Sequence, residues 1–268
     1  MSKTFKLSPS DFAFLWNECK RCFYLKIAKN IRRPSTPMPT IFVKIDSIMK
    51  DYFENRCTTE FDKSLPKGKV EFGDRWIQSK VFDHKETGNK FFIKGKTDTV
   101  VSFEDGSYGI IDFKTSKIKP ENVEKYSRQL HAYSVALEKP EVGKPFLKPI
   151  RTLGLLVVEP MSMFGDENGC SFKNSMSWQP IQKNYTGFKK FVDEMMSVLS
   201  LEEAPESDQK CQWCKYSKHS EPAYAEETCE DFYPDKEDFL IMNNVSEKEI
   251  DIAGDIYCQS YADQIRGK

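Results

Sequence analysis

One stretch in the middle of the chain restricts the fold more than any other. Residues 95–116 read GKTDTVVSFEDGSYGIIDFKTS. Ile110, Ile111 and Phe113 mark a buried strand, because β-branched and aromatic side chains suit a packed, pleated surface. Asp112 and Lys114 stand in the same run, two residues apart, so both side chains leave the strand on one face. Charges inside a buried strand are costly unless they are neutralised or used. Asp98 lies on the preceding strand, and Glu104-Asp105-Gly106 forms the turn. A three-residue loop with Gly106 left-handed pairs Phe103 with Ser107 and sets Asp98 opposite Asp112. A two-residue Asp105-Gly106 loop would instead set Asp98 opposite Phe113. The glycine at the third loop position favours the first register.

That register gathers two carboxylates and an ammonium on one patch of sheet. Two carboxylates near a strand carbonyl, here that of Ile111, make a hard, oxygen-rich site suited to Mg²⁺ or Mn²⁺. Such an ion polarises a phosphoryl oxygen and lowers the pKa of a bound water. Lys114 would orient that water or stabilise the developing phosphorane charge. Downstream, Gln129 and Tyr133 are four apart on a helix and share a face from which both could reach back to the site.

Gly95-x-x-Asp98, then Ile110-Ile111-Asp112-Phe113-Lys114-Thr115, then Gln129-x-x-x-Tyr133, in this order and spacing, resemble the PD-(D/E)XK nuclease superfamily. The resemblance is strongest to its RecB-like branch, which includes the CRISPR-associated adaptation exonucleases and helicase–nuclease subunits, and it spans residues 8–220. It implies an α/β (α+β) restriction-endonuclease-like core, a central mixed sheet flanked by helices, and metal-dependent phosphodiester hydrolysis. Carried over, Asp98 and Asp112 would be metal ligands and Lys114 the catalytic lysine. Gln129 and Tyr133 would form the accessory motif that helps hold DNA and the site. Relatives often carry a histidine or glutamate on an upstream helix as a further ligand. This chain has no histidine there, since His84, His131 and His219 all come later. Asp46, beside the apolar stripe of Ile48, Met49, Tyr52 and Phe53, is the nearest candidate, and Glu71 is a weaker one.

Cysteines supply a second signal. Cys19-x-x-Cys22 and Cys211-x-x-Cys214 are two C-x₂-C pairs near opposite ends of the core chain, a natural tetrathiolate set for zinc or an iron–sulfur cluster. The first pair also resembles the N-terminal cysteine segment of the iron–sulfur nucleases of this branch. Those relatives take one ligand from the N-terminal segment and three from the C-terminal one, so Cys229 is the alternative to Cys22. The resemblance favours a 4Fe–4S cluster, with zinc as the alternative. Cys57, Cys170 and Cys258 have no paired spacing.

The formal net charge is −1, but its distribution is uneven. Residues 201–268 hold 17 acidic and 7 basic side chains, whereas the first 200 residues hold 33 basic and 24 acidic ones. A basic body permits polyanion binding. Arg21, Lys26, Arg32 and Arg33 are the candidate phosphate contacts.

Helical spacing predicts helices starting at Ser8, over Ile41–Tyr52, Glu121–Leu137, Tyr185–Leu199 and Ser246–Ile265. Two strands are expected in Phe91–Lys114 and a third at Leu153–Val158. No apolar run reaches the roughly 18–20 residues of a membrane span. With no signal-type segment at the start, the expected location is cytoplasmic. The expected domains are a nuclease domain at 1–220 and an acidic extension at 221–268 that could bind a protein partner. The expected function is a Mg²⁺- or Mn²⁺-dependent deoxyribonuclease, an exonuclease on DNA ends or single strands. The alternative is a catalytically inactive nuclease-fold protein that binds nucleic acid or a partner.

Overall fold

The computed structural model describes residues 2–34 and 37–226. The expected helix Ser246–Ile265, Cys229 and Cys258 lie outside the described residues. β1 (Thr4–Leu7) opens the fold, and a π-helical turn (Asp11–Leu15) runs into α1 (Trp16–Glu18). Next come α2 (Lys20–Ala28), α3 (Thr40–Phe53) and α4 (Thr58–Phe61). Six strands follow: β2 (Gly68–Gly73), β3 (Trp76–Gln78), β4 (Phe82–Asp83), β5 (Lys90–Lys96), β6 (Thr99–Phe103) and β7 (Tyr108–Lys114). α5 (Val123–Glu138) leads to the hairpin of β8 (Ile150–Asp166) and β9 (Gly169–Pro180), and then to α6 (Tyr185–Leu199). The chain divides into Met1–Cys211 and Gln212–Lys268, and α7 (Gln212–Glu226) is the described part of the second unit.

Both sheets are mixed. In the larger, of order β2-β6-β7-β8-β9, β7 and β8 are parallel and the other pairs antiparallel. In the smaller, β5 is central, parallel to β1 and antiparallel to β3 and β4. The parallel β7–β8 step needs a crossover, which α5 supplies.

Strand alternation divides the core of the larger sheet. Val100, Ile110, Leu153 and Leu155 pack with Leu130 and Leu137 of α5 and Phe188 and Val192 of α6. Val101, Ile111, Phe113 and Leu156 join Met49 and Phe53 of α3 and Phe61 of α4 in a second cluster. Asp112 and Lys114 share parity with Ile110, so they belong to the first of these faces.

Several expectations change. The helix expected from Ser8 breaks at Cys19, whose φ of −170° and ψ of 116° are extended. The Ser8 hydroxyl still donates to Asp11 (2.7 Å). The first of the two strands expected in Phe91–Lys114 is really two strands, β5 and β6. They pair in different sheets and part at Thr97-Asp98, which therefore forms a corner. The strand expected at Leu153–Val158 continues to Asp166. Beyond Val157 it pairs, among the described residues, with β9 alone. Met161, Met163, Phe164 and Phe172 of this arm are exposed, so burial gives no signal for its length.

Candidate active site and thiolate cluster

The β6–β7 register decides the site. Phe103 N–H donates to the Ser107 carbonyl (2.8 Å), Gly106 has φ of +77°, and Thr99 pairs with Ile111. This is the three-residue loop, and it carries Asp98 to the level of Asp112. Phe113 N–H donates to Asp98 Oδ2 (3.3 Å), anchoring the corner carboxylate to the strand that bears Asp112 and Lys114. Asp112 is 3% exposed and ion-paired with Lys114. Ile111, whose carbonyl was the expected third oxygen ligand, directly precedes Asp112 and is fully buried.

The electrostatics follow from crowding. Burial first, and then the Asp112 charge, push Asp98 up to about 6, against the pull of Lys50 and Lys114. Burial would lower the Lys114 ammonium, but Asp112 and Asp98 outweigh it and hold its pKa above the ordinary lysine value. Lys114 Nζ also sits 4.7 Å from the ring centroid of Tyr126 on α5.

Gln129 and Tyr133 approach from the same helix. Gln129 Nε2 donates to the Tyr133 oxygen (3.3 Å), and the Tyr133 hydroxyl donates to the Lys96 carbonyl (2.8 Å). Burial, with Asp112 and Asp98 nearby, raises the Tyr133 pKa, so the phenol keeps its proton. Gln129 is 7% exposed, and its Oε1 has no hydrogen-bond partner among the described residues. Gly95 is explained by packing: a Cβ there would lie 2.7 Å from Pro9 Cδ and 3.4 Å from Tyr133 Cε1.

Asp46 does not stand alone. Lys50, one turn on in α3, places Nζ 2.6 Å from Asp46 Oδ2, 2.8 Å from Asp74 Oδ1 and 3.3 Å from Asp98 Oδ1. Burial opposes its charge, but Asp46, Asp74 and Asp98 raise its pKa overall. Sequence reasoning missed both Lys50 and Asp74. Asp74 has φ of +48°, a strained value for a residue other than glycine. The Gly73-Asp74 pair between two strands was the one available signal, since it marks a tight corner. Glu71, the weaker ligand candidate, is exposed at an irregularity in the β2–β6 pairing. A cleft of about 160 Å³ lined by Lys50, Phe53, Val70, Gly73, Asp74 and Thr99 opens beside the ion pairs.

The basic candidates have mixed fates. Lys26 is paired with Asp11, which is buried, and Arg33 with Glu18. Arg21 Nη1 donates to the Pro205 carbonyl (3.4 Å), while Arg32 is exposed.

The thiols of Cys19, Cys22 and Cys211 converge in the first unit, their Sγ atoms within 4.8 Å of one another and those of Cys22 and Cys211 at 3.8 Å. Three such thiols could hold a metal ion, and Cys214, three residues after Cys211 in the first turn of α7, completes the second C-x₂-C pair in the sequence. Arg33 Nη2 donates to Cys211 Sγ (3.3 Å). The Tyr24 hydroxyl meets the Leu201 carbonyl (3.0 Å), so α2 holds the segment before Cys211 by more than thiols. Among the described residues no helix is long and apolar enough to cross a membrane.

Comparison with known proteins agrees with the motif series. The family model of the PD-(D/E)XK nuclease superfamily matches residues 44–219. No curated protein matches. A solved structure described as "Crystal structure of SSO0001" is similar, at 13% identity and a TM-score of 0.44, over 80% of this chain and 84% of that one. Two mixed sheets flanked by helices are consistent with the restriction-endonuclease-like core of that superfamily.

Proposed function

The chain belongs to the PD-(D/E)XK nuclease superfamily, and we propose that it is a RecB-like, divalent-metal-dependent deoxyribonuclease acting exonucleolytically on DNA ends or single strands. The observation that carries this reading is the meeting of Asp98, Asp112 and Lys114 at one corner of the larger sheet. Two crowded carboxylates, one of them raised to about 6, form a donor set that favours a hard cation. Asp98, Asp112 and the Ile111 carbonyl would hold Mg²⁺ or Mn²⁺. When bound, such an ion polarises a phosphoryl oxygen and makes its water more acidic.

The chain's own groups do the rest. Lys114 stays protonated and presents its ammonium where charge develops on the phosphate or where a water must be aimed. The Tyr133 phenol, also protonated, ties α5 to the end of β5. Gln129 keeps an acceptor available for a donor from substrate or water. Arg32 and Arg21 remain the phosphate contacts best placed by exposure and weak pairing; Lys26 and Arg33 have carboxylate partners.

For the thiolates, spacing favours a single ion. A tetrahedral centre with metal–sulfur bonds of about 2.3 Å sets its sulfurs about 3.8 Å apart. A cuboidal cluster places a separate iron behind each thiolate and spreads them further. The Cys22–Cys211 separation is 3.8 Å. That one separation supports zinc at the two C-x₂-C pairs, and metal and sulfide analysis of the purified protein distinguishes it from the 4Fe–4S cluster that the family resemblance implies.

The test is cleavage of end-labelled single- and double-stranded DNA with Mg²⁺ or Mn²⁺, with Lys114→Ala beside the wild type. Metal-dependent cutting lost in the variant is the expected result. Stepwise shortening from the label identifies an exonuclease. No cutting by folded wild type would replace this reading with a nuclease-fold binding protein.

A further inference from the structure

Lys50 is the feature that the catalytic reading does not use. Its ammonium is seated among Asp46, Asp74 and Asp98 at 2.6, 2.8 and 3.3 Å. Three carboxylate oxygens around one cation is the arrangement that an oxygen-ligated metal would otherwise need. The seat is built. Asp74 is held in a left-handed conformation and donates its N–H to the Asp98 carbonyl (3.0 Å), while Lys96 steadies its other oxygen (3.2 Å). Asp98 belongs to both halves of the site, giving Oδ1 to Lys50 and accepting the Phe113 N–H with Oδ2.

We infer that Lys50 fills the position of a second cation and limits this active site to one divalent ion. The inference rests on the metal-dependent reading above and assigns Lys50 as a positioning residue that sets metal stoichiometry. Charge supports it. Asp46, Asp74, Asp98 and Asp112 bring four negative charges, and Lys50, Lys96 and Lys114 bring three positive ones. One divalent ion takes the local sum from −1 to +1. A second would take it to +3 within a few ångströms, where like charges repel strongly. Without the lysine, the same second ion leaves the sum at +2 and finds three oxygens already gathered. A two-ion mechanism, in which paired metals clamp the attacking and leaving oxygens, is then closed to the wild type. Lys50 and Lys114 supply fixed positive charge in its place.

The experiment counts Mn²⁺ on the full chain with its thiolate site loaded, by equilibrium dialysis and by electron paramagnetic resonance. Asp112→Asn defines the background. One ion sensitive to Asp112→Asn, with the spectrum of an isolated centre, is expected for wild type and for Lys50→Arg. Lys50→Gln should bind two, the second at least about tenfold tighter than any second ion on wild type, with spin–spin broadening. Should Lys50→Gln fail to fold, Lys50→Met keeps all three carboxylates, removes the same charge and should also bind two. Two ions on wild type overturn the inference and leave the nuclease reading standing. So does a single, unchanged ion on folded Lys50→Gln or Lys50→Met. No ion sensitive to Asp112→Asn on wild type overturns the metal-dependent reading and this inference with it.

Discussion

At Asp112 the chain buries a carboxylate beside the ammonium of Lys114 and within reach of a second carboxylate, and the consequences can be measured residue by residue. Replacing Lys114 with Met removes the cation but keeps most of the packing against Tyr126. Cleavage should fall by about 10²–10³, the usual effect of losing one stabilising donor. Asp98 makes a separate prediction about stability in metal-free buffer. Its folded pKa of about 6 lies above its ordinary value of 3.8, so the folded state binds more protons than the unfolded state between these limits. The stability it contributes is therefore full below pH 4 and lost as pH rises through 6. Asp98→Asn should melt higher than wild type at pH 8, with the gain vanishing near pH 4. Melting curves in chelator-free buffer without added divalent metal at both pH values check this, and a gain that persists at pH 4 would refute the assignment.

Among the elements, β8 has two characters along one strand. From Ile150 to Val157 it lies beside β7 and its side chains are largely buried; further on it is an exposed ribbon paired with β9. Gly154 belongs to the first part, where a Cβ would lie 2.2 Å from Trp178 Cη2 and 2.8 Å from the Gln179 carbonyl. Gly154→Val should cost about 3 kcal/mol or more, since overpacking at this strand displaces a ring and a backbone together. Denaturant unfolding measures the loss. Residues of the second part contribute little to the core. Exchanging 161–173 for a two-residue Asn-Gly turn should shift Tm by only a few degrees, which a thermal melt would show.

The scale of the whole molecule is where the thiolates act. Cys19 and Cys22 flank the start of α2, while Cys211 stands 189 residues after Cys22. An ion shared by these ends closes nearly the full length of the first unit, and its binding energy counts as folding energy. Stripping it with a strong chelator, or the change Cys22→Ser, should lower Tm by on the order of 10 °C. Dialysis into metal-free buffer without chelator, which removes only weakly held Mg²⁺, should leave Tm close to unchanged. Equal effects of both treatments would place the stabilising ion at the carboxylates instead. Salt should weaken DNA binding steeply if exposed basic groups such as Arg32 meet phosphates.

What was legible in the sequence was local. The Glu104-Asp105-Gly106 loop, the position of Asp98 opposite Asp112 and the pairing of Gln129 with Tyr133 all follow from periods of two and of about four residues together with one glycine. The C-x₂-C pairs were legible for the same reason, because a short tether fixes which thiols can share an ion. Lys50 and Asp74 were not legible. They meet Asp98 across 24 to 48 residues of intervening chain, and only the packing of α3 beside the β5–β6 corner brings them together. The corner itself was hidden, since Thr97-Asp98 interrupts an otherwise continuous strand pattern without Pro or Gly. Lys26 and Arg33 read as free cations for the same reason, their partners Asp11 and Glu18 each lying 15 residues earlier. By itself the sequence determined the chemistry available to this protein, because side-chain identity and short-range spacing set it. Tertiary structure alone decided which charges neutralise one another, because ion pairing depends on distance in space and not along the chain.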